Sequence, residues 1–277
     1  MTNKVIPPLI GMISLISLFT STAIFADCPR IISQSPYITH QLDYLGLKPC
    51  MVGASRYDKS LGLVDTGGLF DPDSEAIAKL KADLWITSDW TKLTDFEAIQ
   101  PNVKTALRLH SFDSMQQVED NLMDIARHSD DADALQLAQA FPSAWRSQAT
   151  QIRTINTKHT SPPKALLISS CGGQPYAFGK SSWLADLFTE AGFEVVGKQK
   201  RITHLPETKI ANQLEILIQQ TQPNLVFIFE RQLAPACRLM KLPQGTQIVT
   251  LDGTNFLQPA PLLLKGLQQL KDNPLWQ

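Results

Sequence analysis

The chain has 277 residues, a formal net charge of −1, 43% hydrophobic residues and 18% charged residues. Those proportions suit a packed globular protein and exclude a disordered one, and the length calls for one large domain or two lobes. No basic excess points to nucleic acid or to an anionic lipid surface as a partner.

The first 26 residues, "MTNKVIPPLIGMISLISLFTSTAIFA", set Lys4 before an apolar run from Leu9 to Phe25 that ends among small residues. This is the pattern of a secretory signal peptide. Cleavage is expected after Ala26, with Ala23 as the competing site. An uncleaved anchor is disfavoured by Pro7-Pro8, Ser14, Ser17 and Thr20. Asp27 stands before Cys28, where a lipoprotein signal wants a small residue. Export to an oxidising compartment would make Cys28, Cys50, Cys171 and Cys237 candidates for disulfides. Four cysteines permit three connectivities. Cys28 and Cys50 each precede a strand candidate, and Cys171 and Cys237 each follow one, so 28–50 and 171–237 are the expected pairs.

Strand candidates at 30–33, 50–54, 83–87 and 103–109 alternate with an amphipathic stretch at 38–45 and an acidic helix start with Pro72 at 71–81. Met115, Val118, Leu122 and Ile125 keep helical spacing, as do Ala138, Phe141, Trp145, Ala149 and Ile152, with "HSDDAD" at 128–133 between the two sets. Pro142 is expected to kink the second helix or to mark its first turn. After the polar 156–164, the second half restates the first in order. Residues 165–169 match 30–33, 191–197 match 45–53, 214–229 match 74–87 and 247–251 match 103–107. The expected fold is α/β: two Rossmann-like lobes with parallel sheets, 27–111 and 159–277, joined by a long rigid α-helix within 112–158, with a ligand cleft between the lobes.

No catalytic constellation is legible. There is no G-x-S-x-G and no H-E-x-x-H, and His40, His110, His128, His159 and His204 are scattered. No catalytic residue, resident metal or cofactor is assigned. The stretch "SSCGGQPYAFGKSSW" at 169–183 contains the Gly-Lys-Ser of a phosphate-binding loop. Five residues separate Gly173 from Gly179 where that loop has four, and Tyr176 and Phe178 crowd the space phosphates need. It reads instead as strand, ligand loop and helix start, with Tyr176 as the contact and Trp183 as core. Tyr37, Tyr57, Phe70 and Trp90 sit in loops after strands in the first half, on the edge where α/β folds bind ligands.

The segments "RIISQSPYITHQLDYLGLKPCMVGAS", "GGLFDPDSEAIAKLKADLWI" and "GQPYAFGKSSWLADLFTEAGFEVVG" resemble the periplasmic substrate-binding proteins of ABC importers, in the helical-backbone class that handles vitamin B12, ferric siderophores, haem and some bare metals. The resemblance covers nearly all of the mature chain. It implies a non-enzymatic protein that delivers a bulky metal chelate (cobalamin or another corrinoid, haem or a ferric siderophore) to an ABC permease in the inner membrane. Glu75 and Glu215 match the acidic residues that dock the permease, with Glu207 as a fallback for the second. Tyr176 matches an aromatic of the vitamin B12 binders, His204 lies where they have a second-lobe aromatic, and Leu69 or Phe70 stands for a first-lobe tryptophan. For haem iron the resemblance offers Tyr37, Tyr57, His40 or His110, and for acidic siderophores Arg56 and Arg231. The alternatives are a secreted enzyme on a related two-lobed fold, or a periplasmic sensor or scaffold without a transport role.

Overall fold

A computed structural model of the chain describes residues 28–110, 113–156, 161–171, 175–205, 210–232 and 241–274. The expected signal peptide, His159, Glu207 and Cys237 lie outside the described residues. The first sheet contains β1 (Ile31–Ser33), β2 (Met51–Ala54), β3 (Val64–Asp65), β4 (Leu84–Ser88) and β5 (Thr105–Leu109), in the order β3-β2-β1-β4-β5. Every pairing in it is parallel. Its central strands read as unbroken apolar runs because both faces are covered: Ile31, Ile32, Trp85 and Ile86 are fully buried. Helices α1 (Pro36–Tyr44), α2 (Ser74–Leu80) and α3 (Leu93–Ile99) make the crossovers. Pro36 opens α1, where its missing N–H costs nothing. Asp73 caps α2 by accepting from the Ala76 amide at 2.9 Å.

The second sheet contains β6 (Lys164–Ile168), β7 (Tyr176–Phe178), β8 (Glu194–Val195), β9 (Ile202–His204), β10 (Leu225–Ile228) and β11 (Gln247–Thr250). Strands β8-β6-β10-β11 are parallel neighbours, in the same order and sense as β2-β1-β4-β5. This is the internal repeat in three dimensions. Strands β7 and β9 are added antiparallel to it. The parallel expectation therefore describes the first sheet and four strands of the second. Only residues 169–175 separate β6 from β7, and a parallel return would need a crossover of roughly a dozen residues.

Between the sheets run α4 (Met115–Ser129) and α5 (Ala132–Asn156). Ser114 caps α4 through the Gln117 amide, and Asp130 ends it in the left-handed region at φ 55°. Asp131 then caps the start of α5 through the Ala134 amide at 2.8 Å. Helix α5 continues through Pro142, which is an interior residue and not a first turn. Phe141, Trp145, Ala149 and Ile152 turn one buried face inward. They belong to a core that runs from Ile31 and Leu84, through Val118 and Leu122, to Leu167 and Phe227. Helices α6 (Trp183–Glu190), α7 (Ile210–Thr221) and α8 (Leu263–Lys271) complete the second half, and α8 packs on α5. The Cys28–Cys50 disulfide is present, with its Cα atoms 5.5 Å apart. Cys171 is also disulfide-bonded. Among the described residues, no helix is long and apolar enough to cross a membrane.

Candidate ligand-binding cleft

Loops that follow strands of both sheets converge on one cavity of about 370 Å³, within the range of roughly 300–1,000 Å³ typical of small-molecule sites. From the first half come Gln34 to Tyr37 after β1, Tyr57 after β2, Leu69 and Phe70 after β3, and Trp90 after β4. From the second half come Tyr176, Trp183, Arg201, Ile202 and the segment Leu257–Pro259. The C-terminal ends of parallel strands leave their backbone groups and loops facing a crevice, which is why α/β sheets bind ligands there.

One wall is an aromatic platform. Phe70 and Trp90 stack with ring centroids 5.8 Å apart and planes 25° apart. Both are exposed, at 67% and 40%, so the platform offers apolar area to a ligand. Buried polar side chains hold the loops that carry it. Gln34, fully buried, donates to the carbonyl oxygens of Thr66 and Gly68 and accepts from Trp85 Nε1. Thr91 Oγ1 donates to Leu69 O at 2.7 Å, which joins the two platform loops. Arg108 donates to the carbonyls of Asp89 and Thr91, on either side of Trp90.

Tyr37 lies deeper, at 8% exposure. Burial pushes its phenol far above the usual tyrosine range, against hydrogen bonds with Ser88 and Ser35 that pull it down. Tyr176 faces the platform from the second half, and burial raises its phenol as well. Tyr176 also meets Phe178 edge-on at 5.1 Å. Trp183 is core by burial, donates to Phe256 O at 3.3 Å, and still contributes an edge to the cavity.

The cleft thus brings together Tyr37, Tyr57, Phe70, Trp90 and Tyr176 from the sequence reading. His204 is not among the residues lining it. His204 pairs with Tyr176 across β7 and β9 and meets its ring at 5.8 Å. It is exposed and borders a smaller depression of about 280 Å³ with Gly197, Lys198 and Gln213. His40 and His110 also lie outside the lining. Arg56 pairs with Asp71 and Arg231 with Asp252, both away from the cavity lining. Sequence reasoning missed Arg201, Gln34 and Gln258. Arg201 sits in "KQKR" at 198–201, where neither spacing nor composition separates it from its neighbours.

The Gly-Lys-Ser stretch is occupied by its own backbone. Gly179 N donates to Arg201 O at 2.9 Å, and Lys180 N to Lys198 O at 3.0 Å. A Cβ on Gly179 would collide with the carbonyl oxygens of Lys198 and Lys200. The glycine is there for close backbone approach. Ser182 spends its side chain on the helix cap, through the Ala185 amide. These amides have no spare capacity for a phosphate.

Glu75 is in the first turn of α2, exposed, and paired with Lys79 at 2.6 Å. Glu215 lies within α7 and accepts from the Lys241 amide at 2.9 Å. Helices α2 and α7 each end at a left-handed residue, Lys81 and Gln222. Counting six residues back from each, Glu75 corresponds to Ile216, which is 49% exposed, and Glu215 stands one residue earlier.

A larger concavity of about 520 Å³ lies where α4, α5 and α6 meet. It takes no residue from the loops of the first sheet and carries charges of both signs, Arg146 and Lys180 with Asp186, Glu190 and Glu194. Among the described residues, no group of three or more histidine, cysteine or acidic side chains is placed to hold a metal ion.

No family model matches the sequence, and no curated protein matches it. Solved structures do. The periplasmic vitamin B12 binding protein BtuF of Vibrio cholerae superimposes with a TM-score of 0.67 at 18% identity, covering 88% of this chain and 96% of that one. A periplasmic haem-binding protein from Pseudomonas aeruginosa gives 0.65 at 21% identity, over 88% and 91%. The siderophore-binding protein BauB, bound to ferric iron and two acinetobactin molecules, gives 0.64 at 16% identity, over 90% and 94%. The chain has the two-lobed α/β fold of these periplasmic binding proteins.

Proposed function

We propose that the protein is the periplasmic solute-binding component of an ABC importer, which takes a bulky metal chelate into the cleft and hands it to an inner-membrane permease. The chelate class is a corrinoid, haem or a ferric siderophore. The observation that carries this reading is the aromatic cavity itself, in which Phe70 and Trp90 face Tyr176 from the opposite half of the chain. Flat aromatic faces suit a flat or bulky apolar ligand better than a small hydrophilic one. Among the described residues, the lining offers no carboxylate and no histidine for acid–base chemistry, which favours binding over turnover. The fold shared with vitamin B12, haem and siderophore binders supports the same choice.

In this reading the chain is exported by its N-terminal signal peptide, and Glu75 docks the permease from the first lobe, with Glu215 as its counterpart in the second. The test is to purify the protein from the periplasm and record its absorbance spectrum and native mass. A co-purifying chelate is expected. Glu75→Arg should impair uptake and leave chelate affinity intact. Loss of affinity in that variant would place Glu75 in the ligand site and contradict the docking role.

A further inference from the structure

Among the described residues that line the cleft, Arg201 is the one cationic side chain, and no acidic side chain joins it there. Its main chain is fixed, since its carbonyl accepts from Gly179 N at 2.9 Å at the start of β9. Its guanidinium reaches across to the other half of the chain. The carbon Cζ lies 5.6 Å from the centre of the Trp90 ring, a cation–π separation. Nε faces Asp113 Oδ1 at 3.4 Å, just before α4. Nη1 is shielded from solvent and has no hydrogen-bond partner among the described residues. Asp89, beside Trp90 in the chain, acts on Tyr37. Arg201 therefore brings a positive charge with spare donor capacity to the edge of the Phe70–Trp90 platform.

The Asp113 pair is weak by its setting. Its side chains are 31% and 49% exposed, and half-exposed ion pairs contribute little. An oxyanion on a ligand seated against the platform has the better position. It meets the guanidinium inside the cavity, where the planar fork donates to two oxygens at once. We propose that Arg201 is an exchangeable clamp: it holds Asp113 in the ligand-free protein and transfers to an anionic group of the bound chelate. The cleft then selects chelates that carry a carboxylate or similar oxyanion beside a flat apolar face. The proposal rests on the chelate-binding reading above and names the ligand's charge class.

The test uses matched probes. Haemin is compared with its dimethyl ester, and an anionic ferric catecholate with a neutral ferric hydroxamate, with cyanocobalamin as a further neutral chelate. Each is titrated into wild-type protein, Arg201→Gln, Arg201→Lys and Asp113→Asn. Wild type should prefer the anionic member of a pair. Arg201→Gln should weaken that member about tenfold or more and leave the neutral one unchanged. Arg201→Lys should recover part of the loss. Asp113→Asn should tighten anionic probes, because the internal competitor is gone, and a merely structural Asp113 would not do this. Equal affinity for both members of a pair, unchanged by Arg201→Gln, or binding of cyanocobalamin alone, overturns the clamp and leaves the chelate-binding reading standing. No binding of any probe by wild type overturns both. Should Arg201→Gln fail to fold, the exposed Asp113→Asn variant carries the test, and an unchanged affinity for the anionic probes sinks the clamp.

Discussion

Phe70 and Trp90 stack 5.8 Å apart although they come from loops after different strands, β3 and β4. The contact that aligns the two loops is the Thr91 Oγ1 to Leu69 O hydrogen bond. Thr91→Val keeps the shape and removes this donor, leaving a carbonyl to find another partner. The expected cost is about 1 kcal/mol of stability, with ligand affinity lowered about fivefold as the platform loosens. Chemical denaturation and fluorescence titration measure the two separately. The expected loss of stability with unchanged affinity would mean the platform aligns without this bond.

Gln34 is the second support. Gln34→Leu strands Trp85 Nε1 and the Gly68 carbonyl oxygen, while the Thr66 carbonyl keeps the Asp73 amide. Unsatisfied buried polar groups cost about 1–3 kcal/mol each, so urea denaturation should show the protein destabilised by at least about 2 kcal/mol. A change below a few tenths would show that water reaches these atoms freely.

Much of this architecture is legible in the sequence because burial imposes periodicity. The runs around Ile31–Ile32, Leu84–Ile86 and Leu225–Ile228 mark central strands, and the matched order of the two halves becomes the matched order β2-β1-β4-β5 and β8-β6-β10-β11. Aromatics in loops after strands gave Tyr37, Tyr57, Phe70, Trp90 and Tyr176 as cleft residues, because strand ends converge wherever parallel sheets form. Arg201 and His204 show the limit. Both depend on the β7–β9 pairing, an antiparallel addition with no periodic signature of its own. A cation in a polar loop and a histidine on a three-residue strand acquire their places only when the hairpin register is known.

Gly179 and Lys180 separate backbone roles from phosphate binding. Gly179→Ala forces a Cβ against the carbonyls of Lys198 and Lys200, and should lower the melting temperature clearly. Lys180→Ala removes an exposed side chain and should leave both stability and chelate affinity unchanged. The reverse order, a tolerated alanine at 179 and lost binding at 180, would revive a phosphate-loop reading. Differential scanning fluorimetry and titration decide between them.

The Cys28–Cys50 disulfide joins residues 22 apart in the chain. Closing a loop of this length removes unfolded-state entropy worth about 3 kcal/mol. The Cys28→Ser/Cys50→Ser pair should lose about that much stability under oxidising conditions. An unchanged denaturation midpoint would show that the segment before β1 is held by packing alone.

His40 gives the fold a pH dependence. Burial lowers its pKa below the ordinary 6.5, against Asp58 and Asp43, with Lys48 and Lys265 reinforcing the shift. As pH falls through 6.5 the unfolded chain takes up this proton before the folded one does. Stability contributed here is therefore intact above that range and declines as pH falls toward the folded-state value. Asp58 has a raised pKa from burial and acts in the opposite sense at lower pH, in the carboxylate range. Replacing His40 with Gln should flatten the fall in melting temperature between neutral and mildly acidic pH. Parallel curves for wild type and His40→Gln would remove His40 from the pH response.

The central claim is that the aromatic cleft binds a metal chelate. The most direct measurement is a fluorescence and native-mass titration of the purified protein with haemin, cyanocobalamin and a ferric siderophore, repeated with Trp90→Ala. The expected result is stoichiometric binding of at least one chelate at micromolar concentration, weakened about tenfold when the platform ring is removed. No binding of any chelate, or binding that Trp90→Ala leaves unchanged, would contradict it.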